Sequence, residues 1–340
     1  MEYFQITWYI LWAVLWIAYF ATDGFDLGAG IMMNFISRGD SEKRAVINAV
    51  GPFWDGNEVW LITAGGATFA AFPSAYADMF SWLYIPLFML LIGLILRGVS
   101  FELRGKTETG KMWDIFIFLG SLIPTVLLGA AFGNLWAGLP VGADGYTGGF
   151  SGLLNFRGLL TGVALTLFFC LHGLLWLLHK IEGNMRERIY RLAGVFWYLS
   201  LAALAVFLLF LPLRKNPNFV QSSFSGFLCV FFYAFSVVAI IAVKKFLDRG
   251  KAFASFTASF LFIVFWSAAG FSGQYPNLIP SSLGAQFNVS AFNSSSSLYT
   301  LKLMTAVALI FVPIVIAYQS WIYRLLNHKI NPEKKETLHY

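Results

Sequence analysis

The sequence predicts an all-α integral membrane protein, and three observations carry that reading. Of its 340 residues, 58% are hydrophobic and 12% are charged, against about 25% charged in a soluble globular chain. The mean hydropathy is +0.70. Apolar runs of about 20 residues, the length that crosses a bilayer as a helix, recur along the whole chain. Nine spans are predicted, at 6–34, 46–72, 79–101, 112–135, 157–179, 190–213, 222–243, 253–273 and 298–324, in a single polytopic domain covering 1–340.

Each span has its own character. The first is long enough to tilt or to extend past the bilayer. Its stretch TDGFDLGAG (22–30) holds Asp23 and Asp26 among glycines that allow close helix packing or mark a break that admits water. The opening MEYFQITWY lacks a basic n-region and a small-residue cleavage site, so the first helix is expected to be retained. The second span is the least hydrophobic. It carries Trp54, Asp55 and Glu58 and needs helical neighbours to be stable. Arg97 lies in the third. The fourth opens on Trp113–Asp114, where Asp114 reads as an interfacial cap. In the fifth, His172 and His179 are seven residues apart on one face. His179 reads as interfacial. His172 reads as a hydrogen-bonded packing residue rather than a haem ligand, because no second axial ligand sits at a telling spacing. Cys170 and Cys229 lie inside apolar runs and read as small packing residues. Lys302, near the outer end of the ninth span, can snorkel.

Lysines and arginines alternate between loops. Arg38, Lys43 and Arg44 follow the first span, and Arg104, Lys106 and Lys111 follow the third. Lys180, Arg186, Arg188 and Arg191 follow the fifth, and Lys244, Lys245, Arg249 and Lys251 the seventh. The tail has Arg324, Lys329, Lys334 and Lys335, and the other loops are almost bare except for Arg214 and Lys215. The positive-inside rule then puts the N-terminus outside and the C-terminus in the cytoplasm. The net charge of +6 follows from this loop pattern and does not point to nucleic acid. The opposite loops, 138–150 and 272–297, are rich in Gly, Ser and Asn and read as ordered extracytoplasmic segments or partner contacts.

Charges inside the spans are the functional signal. Asp55 lies roughly 13 Å into the second span at about 1.5 Å per residue. Asp23, Asp26 and Arg97 also fall in the inner halves of their spans. A carboxylate at the bilayer centre costs about 2.5–3.5 kcal/mol on insertion scales, so these groups must face protein, water or a counter-charge. Asp23/Asp26 and Asp55/Glu58 are each three residues apart and share a helix face. Paired carboxylates call for a nearby cation or a retained proton, and Arg97 is the obvious cation. Such a row, open to the cytoplasm, suits a proton path and equally a buried structural ion network. The sequence has no CxxC, no CxxCH, no Gly-rich phosphate loop and no His/carboxylate metal cluster. It reads as a subunit that positions charges, with no catalytic residue or metal of its own.

TDGFDLGAG (22–30), GPFWDGNEVWLITAGGATFAAFP (51–73), FGNLWAGLP (132–140) and PNLIPSS (276–282) together resemble subunit II of bacterial cytochrome bd quinol oxidases, as does the spacing of spans along nearly the whole chain. The resemblance implies two four-helix bundles plus one peripheral helix. It implies a haem-bearing subunit I as partner, with haems b558, b595 and d and the quinol site in that partner. It leaves room for a small single-helix subunit. The implied activity is quinol oxidation with reduction of dioxygen to water, protons being taken from the cytoplasm without pumping, in the bacterial cell membrane. By the same resemblance Asp55 matches an aspartate associated with a proton route at the subunit interface, with Glu58 and Asp23 beside it. Trp54, Asp26 and Arg97 match positions associated with a bound quinone, and Tyr340 resembles a C-terminal tyrosine of that group. Position 58 is Glu here where other members have Gln, and the loop at 214–221 is short. The competing reading is an ion-coupled secondary transporter that uses Asp23, Asp26, Asp55 and Glu58 as its ion site.

Overall fold

The computed structural model describes residues 1–107, 110–210 and 222–334. Arg214, Lys215, the short loop at 214–221, Lys335 and Tyr340 lie outside them. The chain is helical almost throughout: α1 (Glu2–Ile36), α2 (Asp40–Val50), α3 (Trp54–Ala71), α4 (Pro73–Trp82), α5 (Tyr84–Leu103), α6 (Gly110–Ala137), α7 (Gly149–Leu153), α8 (Phe156–Lys180), α9 (Met185–Phe210), α10 (Ser223–Asp248), α11 (Ala252–Gln274) and α12 (Leu298–Leu325). Eight of these are long and apolar enough to cross a membrane: α1, α5, α6, α8, α9, α10, α11 and α12.

The predicted spans map onto helices with two adjustments. The second span is split. Its first residues belong to α2, the chain turns at Gly51–Phe53, and α3 starts at Trp54. With 18 residues, α3 is about 27 Å long, but its polar first turn keeps it out of the strongly apolar set. The third span begins inside α4 and continues in α5 after a turn at Leu83.

The first helix is continuous from Glu2 to Ile36. Its glycines therefore serve packing, and the alternative of a break does not hold. A Cβ on Gly28 would fall on the Phe169 carbonyl of α8, and one on Gly173 would fall on the backbone of Gly28 and Ala29. The two backbones thus touch where α1 crosses α8, a contact that a side chain at either position would prevent.

Two of the long helices hold the centre. α1 packs on α3, α6, α8 and α11, and α8 packs on α6, α9 and α11. α5 lies against α6, and α10 against α11 and α9. Only 6% of the most apolar stretch of α12 is buried, against 72% for α8, and its main contacts are with α1 and α3.

The loops at 138–150 and 272–297 are ordered, as their composition predicts. Val141–Gly142 pairs antiparallel with Gly145–Tyr146, and Asn277–Ile279 with Val289–Ser290. A bridge between Leu139 and Ser281 joins the two loops. Leu139 N donates to Pro280 O at 2.9 Å, Ser282 N to Leu139 O at 2.8 Å, and Ser281 Oγ to Val141 O at 2.7 Å.

Candidate functional site

The turn at Gly51–Phe53 lets α3 start with its polar residues beside α1 and α5. Arg97, fully buried on α5, reaches both neighbours. Its Nη2 lies 2.8 Å from Asp23 Oδ1 and 2.5 Å from Glu58 Oε1. Both contacts are ion pairs, and each is also a hydrogen bond. The sequence-derived pairing of Arg97 with these carboxylates is thus realised, with one guanidinium joining three helices.

Asp26 is equally buried but turns elsewhere. Its Oδ2 accepts from Asn57 Nδ2 at 2.6 Å, and Asn57 Oδ1 accepts from the Tyr323 hydroxyl at 2.8 Å. A polar chain therefore runs from α1 through α3 to α12. Asn57 and Tyr323 were not singled out by sequence reasoning. Asn57 could have been, since it sits between Asp55 and Glu58 on a weakly apolar helix.

Several buried polar atoms of this cluster have no hydrogen-bond partner among the described residues. They are Arg97 Nε and Nη1 and Asp26 Oδ1. Buried polar groups are ordinarily satisfied by protein or water.

Asp55 sits apart from the ion pairs. It is exposed on the chain's surface and lines a cleft of about 640 Å³ between α3 and α5, together with Trp54, Glu58, Leu94, Gly98 and Glu102. Trp54 packs flat enough on α5 that a Cβ at Gly98 would meet its ring at 2.9 Å, and its ring centroid lies 5.9 Å from that of Phe101. The order from outside inward is therefore Asp55, Glu58, Arg97, Asp23.

A second ion network closes the charged-loop end of the helices. Asp114 accepts from Arg104 Nε at 2.5 Å and Lys43 Nζ at 2.7 Å, and Arg104 also pairs with Asp40 at 2.9 Å. The reading of Asp114 as an interfacial cap is corrected by these contacts. It lies in the first turns of α6, buried, and ties the loops after α1 and α5 to that helix.

His172 and His179 are both engaged by protein partners. His172 Nδ1 lies 2.6 Å from Ser259 Oγ, and its Nε2 lies 3.1 Å from Ala21 O. Both ring nitrogens are thus engaged, and the ring stacks on Phe256 at 4.7 Å. His179 Nε2 is bonded to Asn327 at 3.0 Å near the end of α8. Among the described residues no group of three or more His, Cys, Asp or Glu side chains could hold a metal ion. Cys170 and Cys229 are both buried.

A bundle of long apolar helices that carries a buried arginine–carboxylate cluster defines a polytopic membrane protein that holds charge in its interior. The particular kind is set by comparison. The family model described as cytochrome bd terminal oxidase subunit II matches residues 4–326, and the chain belongs to that family. It is 35% identical over 340 residues to the cytochrome bd ubiquinol oxidase subunit 2 of Bacillus subtilis, covering 97% of this chain and 98% of that one. It is 33% identical over 376 residues to the cytochrome bd-I ubiquinol oxidase subunit 2 of Escherichia coli strain K12, covering 98% and 97%. A solved structure of bd oxidase from Geobacillus thermodenitrificans shares the fold, with a TM-score of 0.77, 15% identity and coverage of 96% of this chain and 98% of that one. The protein is therefore a multi-pass subunit of a respiratory oxidoreductase complex in the bacterial cytoplasmic membrane, and the ion-coupled transporter reading gives way.

Proposed function

We propose that this chain, as subunit II of a quinol:oxygen oxidoreductase, braces a haem-bearing subunit I and feeds it protons from the cytoplasm. The observation that carries the reading is the ordered set Asp55, Glu58, Arg97 and Asp23, which runs from an exposed cleft to the buried centre. Reduction of dioxygen to water consumes protons, and these must reach a site inside the membrane. Asp55 collects them at the mouth of the cleft, and Glu58 links the mouth to Arg97. Two carboxyl groups, Asp23 and Glu58, share one guanidinium, so the cluster can exchange protons without a new counter-ion. The unmatched polar atoms of Arg97 and Asp26 suit a chain of water molecules.

Haems b558, b595 and d are assigned to the partner, in keeping with the family resemblance. Trp54 lines the cleft, Arg97 lies buried behind Glu58, and these are the residues we assign to a bound quinone. Asp26, turned to Asn57 and Tyr323, takes the structural role, and Tyr340 lies outside the described residues. In the membrane we take α3 as a ninth crossing helix. The nine then form two groups of four, α1/α3/α5/α6 and α8/α9/α10/α11, with α12 peripheral, the N-terminus outside and the C-terminus cytoplasmic. The open flank of α3 and α5 is the surface that we expect subunit I to cover, with a small single-helix subunit as a further partner.

The test is Asp55→Asn in the assembled complex. Quinol-driven oxygen uptake should fall, in the range of about 10²–10⁴-fold seen when a proton-transfer group is lost, while haem absorption and subunit yield stay at the wild-type level. Unchanged turnover would remove Asp55 from the route and leave the cluster as bracing.

A further inference from the structure

The loose seating of α12 leaves space behind it. A groove of about 1050 Å³ lies between α12 and the faces of α1, α3, α8 and α11, at the upper end of the roughly 300–1,000 Å³ of ligand pockets. Its α12 wall is one stripe, recurring every three or four residues from Leu303 to Asn327. That stripe is about 36 Å long at 1.5 Å per residue, enough to follow a lipid through a leaflet and beyond. Opposite it stand Trp176, Phe253, Phe256 and Phe260. The walls are apolar along the length and change character at one end.

That end is basic. His179, Arg324 and Asn327 line it. Arg324 is exposed there and forms no ion pair among the described residues. Lys180, Arg186 and Lys329 lie close enough to His179 to act on it electrostatically. Lys180 Nζ is spent on the Leu326 carbonyl at 2.7 Å, and Lys329 on the His179 carbonyl. Glu182 offsets part of this charge beside Lys329, and Glu333 is bonded to Asn184. Among the described residues, Arg324 is thus a cation that lines the mouth of the apolar groove without an ion pair.

We infer that the groove binds one anionic phospholipid, with its acyl chains along α12 and its phosphate on Arg324. The complementarity is specific in sign. A neutral isoprenoid head would gain nothing from this cationic rim, and a zwitterionic lipid would bring its own cation to it. The groove is walled on three sides, so the lipid is enclosed more than one in the bulk bilayer, and it fills space that would otherwise leave the wall atoms without contacts. It also packs the side of α12 that protein does not. The inference is independent of the proton route, since none of its residues belongs to the Asp55–Asp23 set.

The experiment is native mass spectrometry of the detergent-purified complex after delipidation. The complex is titrated with dioleoyl phosphatidylglycerol and, separately, with dioleoyl phosphatidylcholine. Wild type should take up one tightly held phosphatidylglycerol. Arg324→Gln should weaken it about fivefold, the share of one arginine at an anionic surface, with phosphatidylcholine weak in both. Ala308→Trp, which puts an indole midway along the groove, should abolish the tight site. If that variant fails to assemble, the Arg324→Gln comparison still decides. Equal retention of the two lipids with no effect of Arg324→Gln would overturn the inference, and so would a co-purifying quinone that Ala308→Trp displaces.

Discussion

Arg97 joins α1, α3 and α5; its ion pair with Asp23 is buried and that with Glu58 partly so. A buried ion pair is weak evidence of net stability, but losing one partner strands the other charge at a cost of about 3–5 kcal/mol. Arg97→Met should therefore lower the thermal midpoint and the yield of assembled complex, whereas Asp55→Asn should leave both in place because Asp55 is exposed. Thermal unfolding of the two purified variants separates them, and an Arg97→Met protein as stable as wild type would contradict the reading. The pairing of Arg97 with Asp23 and Glu58 was legible from sequence for a simple reason. Charges deep in apolar spans must find each other, and few candidates existed. The Asn57–Tyr323 bond was not legible. It joins residues 266 apart, and Tyr323 lies on a helix whose composition otherwise reads as lipid-facing.

Among the elements, α12 stands out because polar contacts fasten it. Trp60 Nε1 donates to Gln319 Oε1 at 3.1 Å, Gln319 Nε2 donates to Gly56 O at 2.9 Å, and Tyr323 donates to Asn57. Higher up, Trp8 Nε1 donates to Thr305 Oγ1 at 3.0 Å. Hydrogen bonds between membrane helices contribute about 0.6 kcal/mol on average and up to about 1.7 in measured cycles. Gln319→Leu and Tyr323→Phe should each lower the thermal midpoint modestly. Combined, they should depart from the sum of the single changes, because both act on one end of one helix; strict additivity in unfolding experiments would argue against a shared clasp. The contact between α1 and α8 has no such tolerance. Gly28→Ala places a methyl group on the Phe169 carbonyl, and overpacking of this kind costs typically 1–3 kcal/mol. Loss of assembled complex on a native gel is the expected outcome. The close packing of these glycines was one of two options left by the sequence, since a glycine-rich stretch serves a crossing and a break equally well until the neighbouring helix is known.

Across the whole molecule, loop charge and span hydrophobicity carried most of the architecture, because insertion into a bilayer depends on those two quantities. The split at Gly51–Phe53 escaped that reading, since apolar residues continue through it and only the backbone changes direction. Single cysteines introduced at Ser41 and Ser282, on a background where Cys170 and Cys229 are buried, test the orientation. A membrane-impermeant maleimide applied to intact cells lacking an outer barrier should label Ser282→Cys and spare Ser41→Cys; the reverse pattern would invert the topology.

The seam between Leu139 and Ser281 also sets an order in time. The two sides of that seam are separated by 142 positions (281 minus 139). At 5–20 residues per second of synthesis, that interval lasts roughly 7–30 s. Throughout it the loop at 138–150 has already been made while the segment that completes it is still unmade. The first half of the chain must therefore wait with an unfinished edge until α11 has been made, so the ribosome's progress decides when that end of the bundle can close.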